Sequence, residues 1–379
     1  MKIEQGVKEK DGKWEFMDSR KALKHPLVLV FGNRYALESE GIYQEIKSLY
    51  PDGEIVFGST SGEILDSKVY EESIVLTAIE FEKSAFKIVH ENMNTHHMDV
   101  EELGYSLIDA LPKENLKHTF IISEGTNVNG SGLIKGLEAK LKSEVSISGG
   151  LCGDDARFER TLASYNENPK EGEVICIGFY GDTLDITSAN YGGWTAFGPE
   201  RTITKSKNNI LYELDGKPAL DLYKLYLGDK AKGLPEAALL YPLSVHMKDS
   251  KEVIVRTILN IDEQNNTMIL AGDVPEGSKV QLMMSTVDDI AEGAAIAGEY
   301  AMRGRATEPE LALLVSCVGR KLVMDQRTEE EVEEVISSIG NKAKIMGFYS
   351  YGEMAPFAGK EACKLHNQTM TLTLFSEYA

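Results

Sequence analysis

The sequence predicts a mixed α/β fold of the α+β kind, in which two packed, sheet-containing halves carry repeated β-α-β units and flanking helices. Strand-like apolar runs alternate with helical periodicity three times along the chain, which gives the fold a pseudo-repeat character. Further segments, such as residues 73–81 and 173–181, predict additional strands between these units. A length of 379 residues suits two domains or one body made of two halves.

The three predicted units share one pattern. In each, an apolar strand is followed by a helix with apolar residues three and four positions apart, and then by a second strand. A glycine-rich exit loop closes each unit with Gly-Glu or Gly-Asp: GSTSGE at 58–63, GGLCGD at 149–154 and GFYSYGE at 347–353. In the third unit, Thr328 and Glu331 predict a capping box at the helix start.

The exit loops hold the candidate ligand contacts. If the paired strands are parallel, right-handed crossovers bring their carboxyl ends to equivalent sheet edges, where ligands of open α/β sheets bind. Carboxylates there could bind an amine, or act as acid and base, and two arginines could bind a carboxylate. Acidic turns and cysteine packing are the structural alternatives. The candidates are Arg34, Ser61, Gly62, Glu63, Gly150, Cys152, Asp154, Asp155, Arg320, Tyr351 and Glu353.

Composition narrows the classes of partner. The formal net charge is −20 and the sequence pI is near 4.9, so the surface repels phosphate backbones and anionic lipids. Nucleic acid and membrane are therefore not expected partners. The longest apolar runs are far too short to span a bilayer, and the polar N-terminus is not a secretory signal. The four cysteines are widely spaced, which predicts reduced thiols in a cytoplasmic protein.

Other site chemistries stay open on the residues alone. Cys152 or Cys317 could be a nucleophile, although no histidine stands at a motif-like spacing from either. His96-His97 with Asp99 is the densest group of possible metal ligands, but adjacent histidines point in different directions. The sequence therefore predicts no metal site. The loop SEGTNVNGSG (123–132) precedes a helix and could hold a small anion. His246, and less strongly His366, could ligate haem in an apolar pocket.

Seven segments occur in an order that resembles the FIST family, whose name refers to F-box and intracellular signal transduction proteins. They are FGSTSGEI, SGGLCGDDARFERT, GWTAFGPERTIT, LYELDGKPALDLY, VPEGSKVQL, GFYSYGEMAP and HNQTMTLTLF. The resemblance implies an N-terminal extension (1–25), a FIST N-terminal domain (26–210) and a FIST C-terminal domain (211–379). It also implies a sensory, ligand-binding module for small molecules such as amino acids, with haem and nitric oxide as the ligands of a subset.

The resulting hypothesis is a cytoplasmic, non-enzymatic sensor that binds a small ligand, such as an amino acid, between its two halves. It requires no cofactor. Only about 25 residues precede the FIST-like part, so the signal is expected to pass to a signalling protein in trans. The alternatives are a haem-binding nitric-oxide sensor and an enzyme that uses Cys152 or the acid cluster.

Overall fold

The computed structural model describes residues 1–10, 12–96, 99–248, 253–356 and 362–378. The strands of these residues, in chain order, are β1 (Lys2–Lys8), β2 (Glu15–Phe16), β3 (Leu27–Asn33), β4 (Glu54–Thr60), β5 (Glu63–Leu65), β6 (Lys68–Tyr70), β7 (Ile74–Glu80), β8 (Ala85–Asn92), β9 (Leu116–Ser123), β10 (Ser146–Leu151), β11 (Ala163–Tyr165), β12 (Glu173–Tyr180), β13 (Leu184–Tyr191), β14 (Thr195–Lys207), β15 (Ile210–Leu214), β16 (Lys217–Pro218), β17 (Leu243–His246), β18 (Val253–Arg256), β19 (Ile258–Asp262), β20 (Thr267–Leu270), β21 (Lys279–Met284), β22 (Leu311–Cys317), β23 (Lys344–Ser350), β24 (Gly352–Pro356), β25 (Cys363–His366) and β26 (Met370–Glu377).

The α-helices of the same residues are α1 (Arg34–Leu37), α2 (Ile42–Leu49), α3 (Met93–His96), α4 (Val100–Ala110), α5 (Gly130–Glu138), α6 (Ala219–Leu227), α7 (Val287–Met302), α8 (Val318–Met324) and α9 (Glu329–Ile339). Within the described residues, no helix has both the length and the apolar character needed to cross a membrane. The mixed α+β class with two sheet-containing halves is confirmed.

The three β-α-β units are present, and each pairs its two strands in parallel. Unit 1 joins β3 to β4 through α1 and α2, unit 2 joins β9 to β10 through α5, and unit 3 joins β22 to β23 through α8 and α9. Parallel strands need such a crossover connection, and the helical periodicity between the apolar runs supplies it. The capping box predicted for the third helix is wrong: Thr328 makes no side-chain cap, and the Glu331 carboxylate binds Arg320 instead.

Each unit lies in its own sheet, and the units exchange strands in a ring. The sheets run β11-β4-β3-β7-β1-β2, β25-β24-β10-β9-β12-β8 and β13-β26-β22-β23-β5-β6. The strand that follows each unit leaves that unit's sheet and pairs antiparallel in another one. Thus β5 after unit 1 pairs with unit 3, β24 after unit 3 pairs with unit 2, and β11 after unit 2 pairs with unit 1. The result is a body with threefold pseudo-symmetry.

The three sheets enclose one apolar core to which all units contribute. Phe31 of β3, Phe120 of β9 and Phe348 of β23 belong to this cluster, and the rings of Phe31 and Phe348 lie 4.5 Å apart. Helices cover the outer faces: α2 packs on the first sheet, α4 and α5 on the second, and α7 and α9 on the third. The first strands of units 1 and 3, β3 and β22, are mostly apolar along their length because both of their faces are covered.

The exits of the second strands meet at the pseudo-threefold axis in a ring of three backbone hydrogen bonds, here called the exit ring. Its three bonds run from Ser61 N to Tyr349 O (2.8 Å), from Tyr351 N to Leu151 O (3.2 Å) and from Gly153 N to Ser59 O (2.8 Å). Each donor stands two residues after the acceptor of the same unit. The exits, which the sequence placed on equivalent sheet edges, are thus in direct contact with one another.

Gly153→Ala is expected to lower the free energy of unfolding by about 2–3 kcal/mol, because a Cβ there overpacks the exit ring. That atom would lie 2.4 Å from Ser61 Oγ, 2.8 Å from Ser61 N and 3.0 Å from Tyr349 O. Gly132→Ala is the control, since its Cβ meets nothing closer than 3.8 Å. Urea unfolding of both variants measures the effect, and equal midpoints would contradict it.

The chain between β13 and α7 forms a separate sheet, here called the inserted lobe (residues 195–284). Its strands run β18-β17-β21-β14-β15-β20-β19, with β16 beside β15, and α6 packs on its apolar core. The boundary at 210/211 falls at the first residue of β15. The predicted extension, residues 1–25, contributes β1 and β2 to the first sheet.

Candidate functional site

A cleft of about 450 Å³ lies between the inserted lobe and the strand exits of units 2 and 3, and we call it the central cleft. The loop after β9 forms one wall with residues 125–130. Leu151, Phe158 and Tyr351 form a second wall beside the exit ring. The inserted lobe closes the third side with Asn209, Leu259, Asn260 and residues 269–272. Small-molecule sites are concave clefts of this size that join mostly apolar walls to a few polar groups.

A buried carboxylate shapes the first wall. Glu124 is fully buried, and it accepts hydrogen bonds from the backbone N–H groups of Thr126 (2.7 Å), Asn127 (2.8 Å) and Val128 (3.2 Å), and from Thr161 Oγ1 (2.7 Å). Three donors of the loop that could hold a small anion are thus already used by the protein's own carboxylate. Gly125 of this loop is needed for a steric reason, since an added Cβ there would lie 2.1 Å from Cys152 O.

The second wall is a stacked aromatic pair. The rings of Phe158 and Tyr351 lie 4.3 Å apart with an interplanar angle of 20°. Phe158 has φ +53°, a left-handed conformation that costs energy for a bulky side chain, and its N–H donates to Tyr351 Oη at 3.0 Å. Burial raises the pKa of Tyr351, so its hydroxyl is neutral. Strained residues persist where the surroundings fix them, and they cluster at ligand sites.

Arg34 and Asp154 come together as an ion pair where units 1 and 2 meet. Asp154 is fully buried, and its Oδ1 accepts from Arg34 Nε (2.9 Å) and from Arg157 Nε (2.9 Å). Arg34 also binds Glu159 at 2.8 Å. Among the described residues, Asp154 Oδ2 is buried and has no hydrogen-bond partner.

Glu63 and Glu353 occupy equivalent buried positions under the exit ring. Thr60 and Ser73 donate to Glu63, while Ser350 (2.8 Å) and Thr369 (2.9 Å) donate to Glu353. Burial raises the pKa of each glutamate to about 7. Gly62, which precedes Glu63, has φ +137° and gives that turn its shape. Neither glutamate lines the central cleft, so the three acid-bearing loops do not form one shared acidic pocket.

Ser61 and Asp155 line a second cleft of about 420 Å³, which lies between the exit loops of units 1 and 2 and helix α8 of unit 3. Lys321 projects into its wall and donates to Ser61 O at 2.9 Å, with Glu71 Oε1 at 2.7 Å. Asp155 forms a 2.9 Å ion pair with Arg157. The loop 153–161 therefore separates the two clefts, with Asp155 on one side and Phe158 on the other.

Arg320 lines neither cleft and is fully buried. Its guanidinium pairs with Glu331 at 2.7 Å and donates to Gly192 O and Ile290 O, the latter at 2.9 Å. These contacts tie α8 to α9, α7 and the end of β13. These contacts explain the burial of Arg320 by a structural role. A contact between Arg320 and a ligand stays a prediction.

Cys152 and Gly150 are packed in the interior. Cys152 is fully buried and belongs to the shared core, and burial raises the pKa of its thiol. A buried neutral thiol is a poor nucleophile, because the thiolate is the reactive form. At Gly150 an added Cβ would lie 2.6 Å from Val315 Cγ1, so a larger residue there would require Val315 to shift.

The histidines are dispersed. His246 lies half-buried on β17, and His366 is buried with its pKa lowered to about 4 by burial; neither lines either cleft. In the His96-His97-Asp99 cluster, His97 lies outside the described residues. Within the described chain, His90, Glu167 and Glu173 form a metal-capable group that the sequence analysis missed, and Lys170 already pairs with both glutamates.

Comparison with known proteins identifies the family. The FIST N domain matches residues 26–217, and the FIST C domain matches residues 219–356. A Methanocaldococcus jannaschii protein described only as uncharacterized is 23% identical over 352 residues, which is 82% of this chain and 66% of that protein. The chain thus spans slightly less than two thirds of that relative's length. Since the two domain matches together cover most of the sequence, the resemblance seen in the motifs is confirmed, and the chain belongs to the FIST family.

Proposed function

We propose that this protein is a non-enzymatic sensory module that binds a small metabolite in the central cleft and acts on a signalling protein in trans. FIST domains are generally sensory, ligand-binding domains of signalling proteins. The observation that carries the proposal is the position of the cleft. Its walls come from the FIST N domain at 125–130 and 158, and from the FIST C domain at 259–260, 269–272 and 351.

A ligand in this position would hold the inserted lobe against the three-unit body. A ligand shifts a conformational equilibrium only through its different affinity for the two states. One that bridges both walls binds the closed arrangement better than a separated one, so it would favour one orientation of the lobe. We propose that a partner protein recognises this orientation of the lobe. An amino acid remains one candidate ligand, and neither a cofactor nor catalysis is required.

Thr126→Trp is expected to abolish ligand binding while leaving the fold intact. Thr126 is exposed and lines the cleft, and its one side-chain hydrogen bond to the described residues is to Thr161 Oγ1 at 3.4 Å. An indole there fills the cleft from its rim. Thr195→Trp is the matched control, because Thr195 is exposed on β14 and lines neither cleft.

The measurement is a thermal-shift screen of the full chain against amino acids, polyamines, nucleobases, nucleotides and haemin, with an absorbance spectrum of each mixture. A ligand at a hundredfold excess over its Kd stabilises the protein by about 2.7 kcal/mol. We expect a shift in the parent and in Thr195→Trp that Thr126→Trp lacks. A ligand that shifts all three proteins equally binds elsewhere, and a Soret band lost with His246→Ala would favour haem sensing instead.

A further inference from the structure

We infer that the ligand of the central cleft is an uncharged, flat nitrogen heterocycle of the nucleobase type; this inference rests on the function proposed above. The cleft walls carry amides, apolar side chains and an aromatic pair. Three properties of these walls lead to the inference: their charge, their unpaired polar groups and the orientation of their rings.

The first property is charge. In a chain with 60 acidic and 40 basic residues, no charged side chain is found among the described residues that line the central cleft. The ionisable groups next to the walls are already engaged: Glu124 accepts from the loop N–H groups, Asp273 accepts from Asn129 Nδ2 at 3.1 Å, and Arg256 donates to Leu365 O at 2.8 Å. An ionised ligand would lose water here without gaining a counter-charge, which is costly. The walls therefore disfavour both nucleotides and free amino acids.

The second property is the set of side-chain amide atoms that make no hydrogen bond within the described part of the protein. Asn127 is exposed at the rim, and its side chain makes no hydrogen bond to the described residues. Asn209 uses its Nδ2 on Leu270 O, which leaves Oδ1 as an acceptor. Asn260 uses its Oδ1 on Ile261 N, which leaves Nδ2 as a donor. The cleft thus offers both donors and acceptors, which match the alternating edge of a heterocyclic base.

The third property is the flat wall. Tyr351 covers one face of the Phe158 ring, and Phe158 itself is only partly buried and lines the cleft. The N–H···O bond from Phe158 to Tyr351 fixes this ring in its strained conformation before any ligand arrives. A preorganised aromatic surface favours flat ligands, because every base has a π-face that can stack on it.

The test is isothermal titration of the full chain with adenine, hypoxanthine, uracil and nicotinamide, and with AMP, alanine, lysine and glutamate. We expect at least one neutral heterocycle to bind, and AMP to bind at least tenfold more weakly than adenine. Phe158→Ala should weaken that binding at least tenfold, whereas Phe158→Tyr, which keeps the ring, should change it less than threefold. Asn127→Ala, at an exposed position, is a second variant that should weaken binding without loss of fold.

The outcomes separate the two proposals. Binding of an amino acid or of AMP that Thr126→Trp abolishes, without binding of any neutral heterocycle, overturns the ligand class and leaves the proposed function standing. A heterocycle that binds equally well to the parent and to Phe158→Ala also overturns the ligand class. If no compound binds, or if Thr126→Trp binds as the parent does, both proposals are overturned.

Discussion

Arg320→Met is expected to lower the free energy of unfolding by about 3–5 kcal/mol, the usual cost of leaving one member of a buried ion pair without its partner. Both Arg320 and Glu331 have no exposed side-chain surface, and their charges lie 2.7 Å apart. Without the guanidinium, the Glu331 carboxylate keeps only the hydroxyls of Ser316 (3.0 Å) and Tyr349 (2.6 Å). Two neutral donors do not replace a buried positive charge.

Two control variants test whether Arg320 stabilises the fold or contacts the ligand. Arg327→Met removes a half-exposed arginine paired with Glu330 and Asp288, and surface pairs of this kind contribute about 0–1 kcal/mol. The double variant Arg320→Met/Glu331→Leu should recover much of the lost stability, since no buried charge remains. Urea unfolding gives the free energies. An Arg320→Met protein that keeps its stability but loses ligand binding would contradict a purely structural role for Arg320.

The parts of the fold that the sequence predicts are those encoded by local periodicity. In each unit, an apolar run, a helical stripe and a second apolar run follow one another within about 40 residues, and the parallel pairs confirm that pattern. The exchange of β5, β11 and β24 between units leaves no comparable signal. Each of these short strands is positioned by backbone hydrogen bonds to a distant segment. The amino-acid composition of the strand gives little indication of that pairing.

The register of the repeat shows the same limit. By sequence, Gly153-Asp154 matches Gly62-Glu63 of the first unit. The exit ring instead makes Gly153 the counterpart of Ser61, which pairs Asp155 with Glu63. The two alignments differ by one residue, and only the hydrogen bonds between the loops decide between them. A match of residue types in a turn is therefore weaker than a match of backbone positions.

Three of the residues proposed from sequence line a cleft. Tyr351 lines the central cleft, while Ser61 and Asp155 line the second cleft. Phe158 was missed because its importance depends on its ring stack and its positive φ, neither of which has a sequence signature. Asn209 and Asn260 were missed because the inserted lobe reaches the cleft from more than 50 residues beyond the exit of unit 2. Pockets assembled from distant segments need the tertiary fold.

The pKa values of Glu63 and Glu353 predict an unusual pH dependence of stability. Burial raises both pKa values from an ordinary 4.5 to about 7, so the folded state binds protons that the unfolded state has released between these values. The stabilisation is fully present below pH 4.5 and is lost as the pH rises through 7. Ionisation of each carboxyl should lower the free energy of unfolding by roughly 3 kcal/mol over this pH range, at 1.36 kcal/mol per pKa unit.

Comparison with Glu63→Gln/Glu353→Gln isolates this effect, because glutamine resembles the neutral acid and does not titrate. Buried His118 and His366, with pKa values lowered to about 3 and about 4, titrate in both proteins and cancel in the difference. Lys321 beside Glu63 and Arg320 beside Glu353 oppose the raised pKa values, while Asp155 adds to the rise at Glu63. Urea unfolding from pH 4.5 to pH 8 should show the parent losing stability relative to the double variant as the pH rises. Parallel stability curves would mean that both carboxylates are ionised in the folded protein. The hydroxyl groups of Thr60, Ser73, Ser350 and Thr369 would then outweigh the cost of burial.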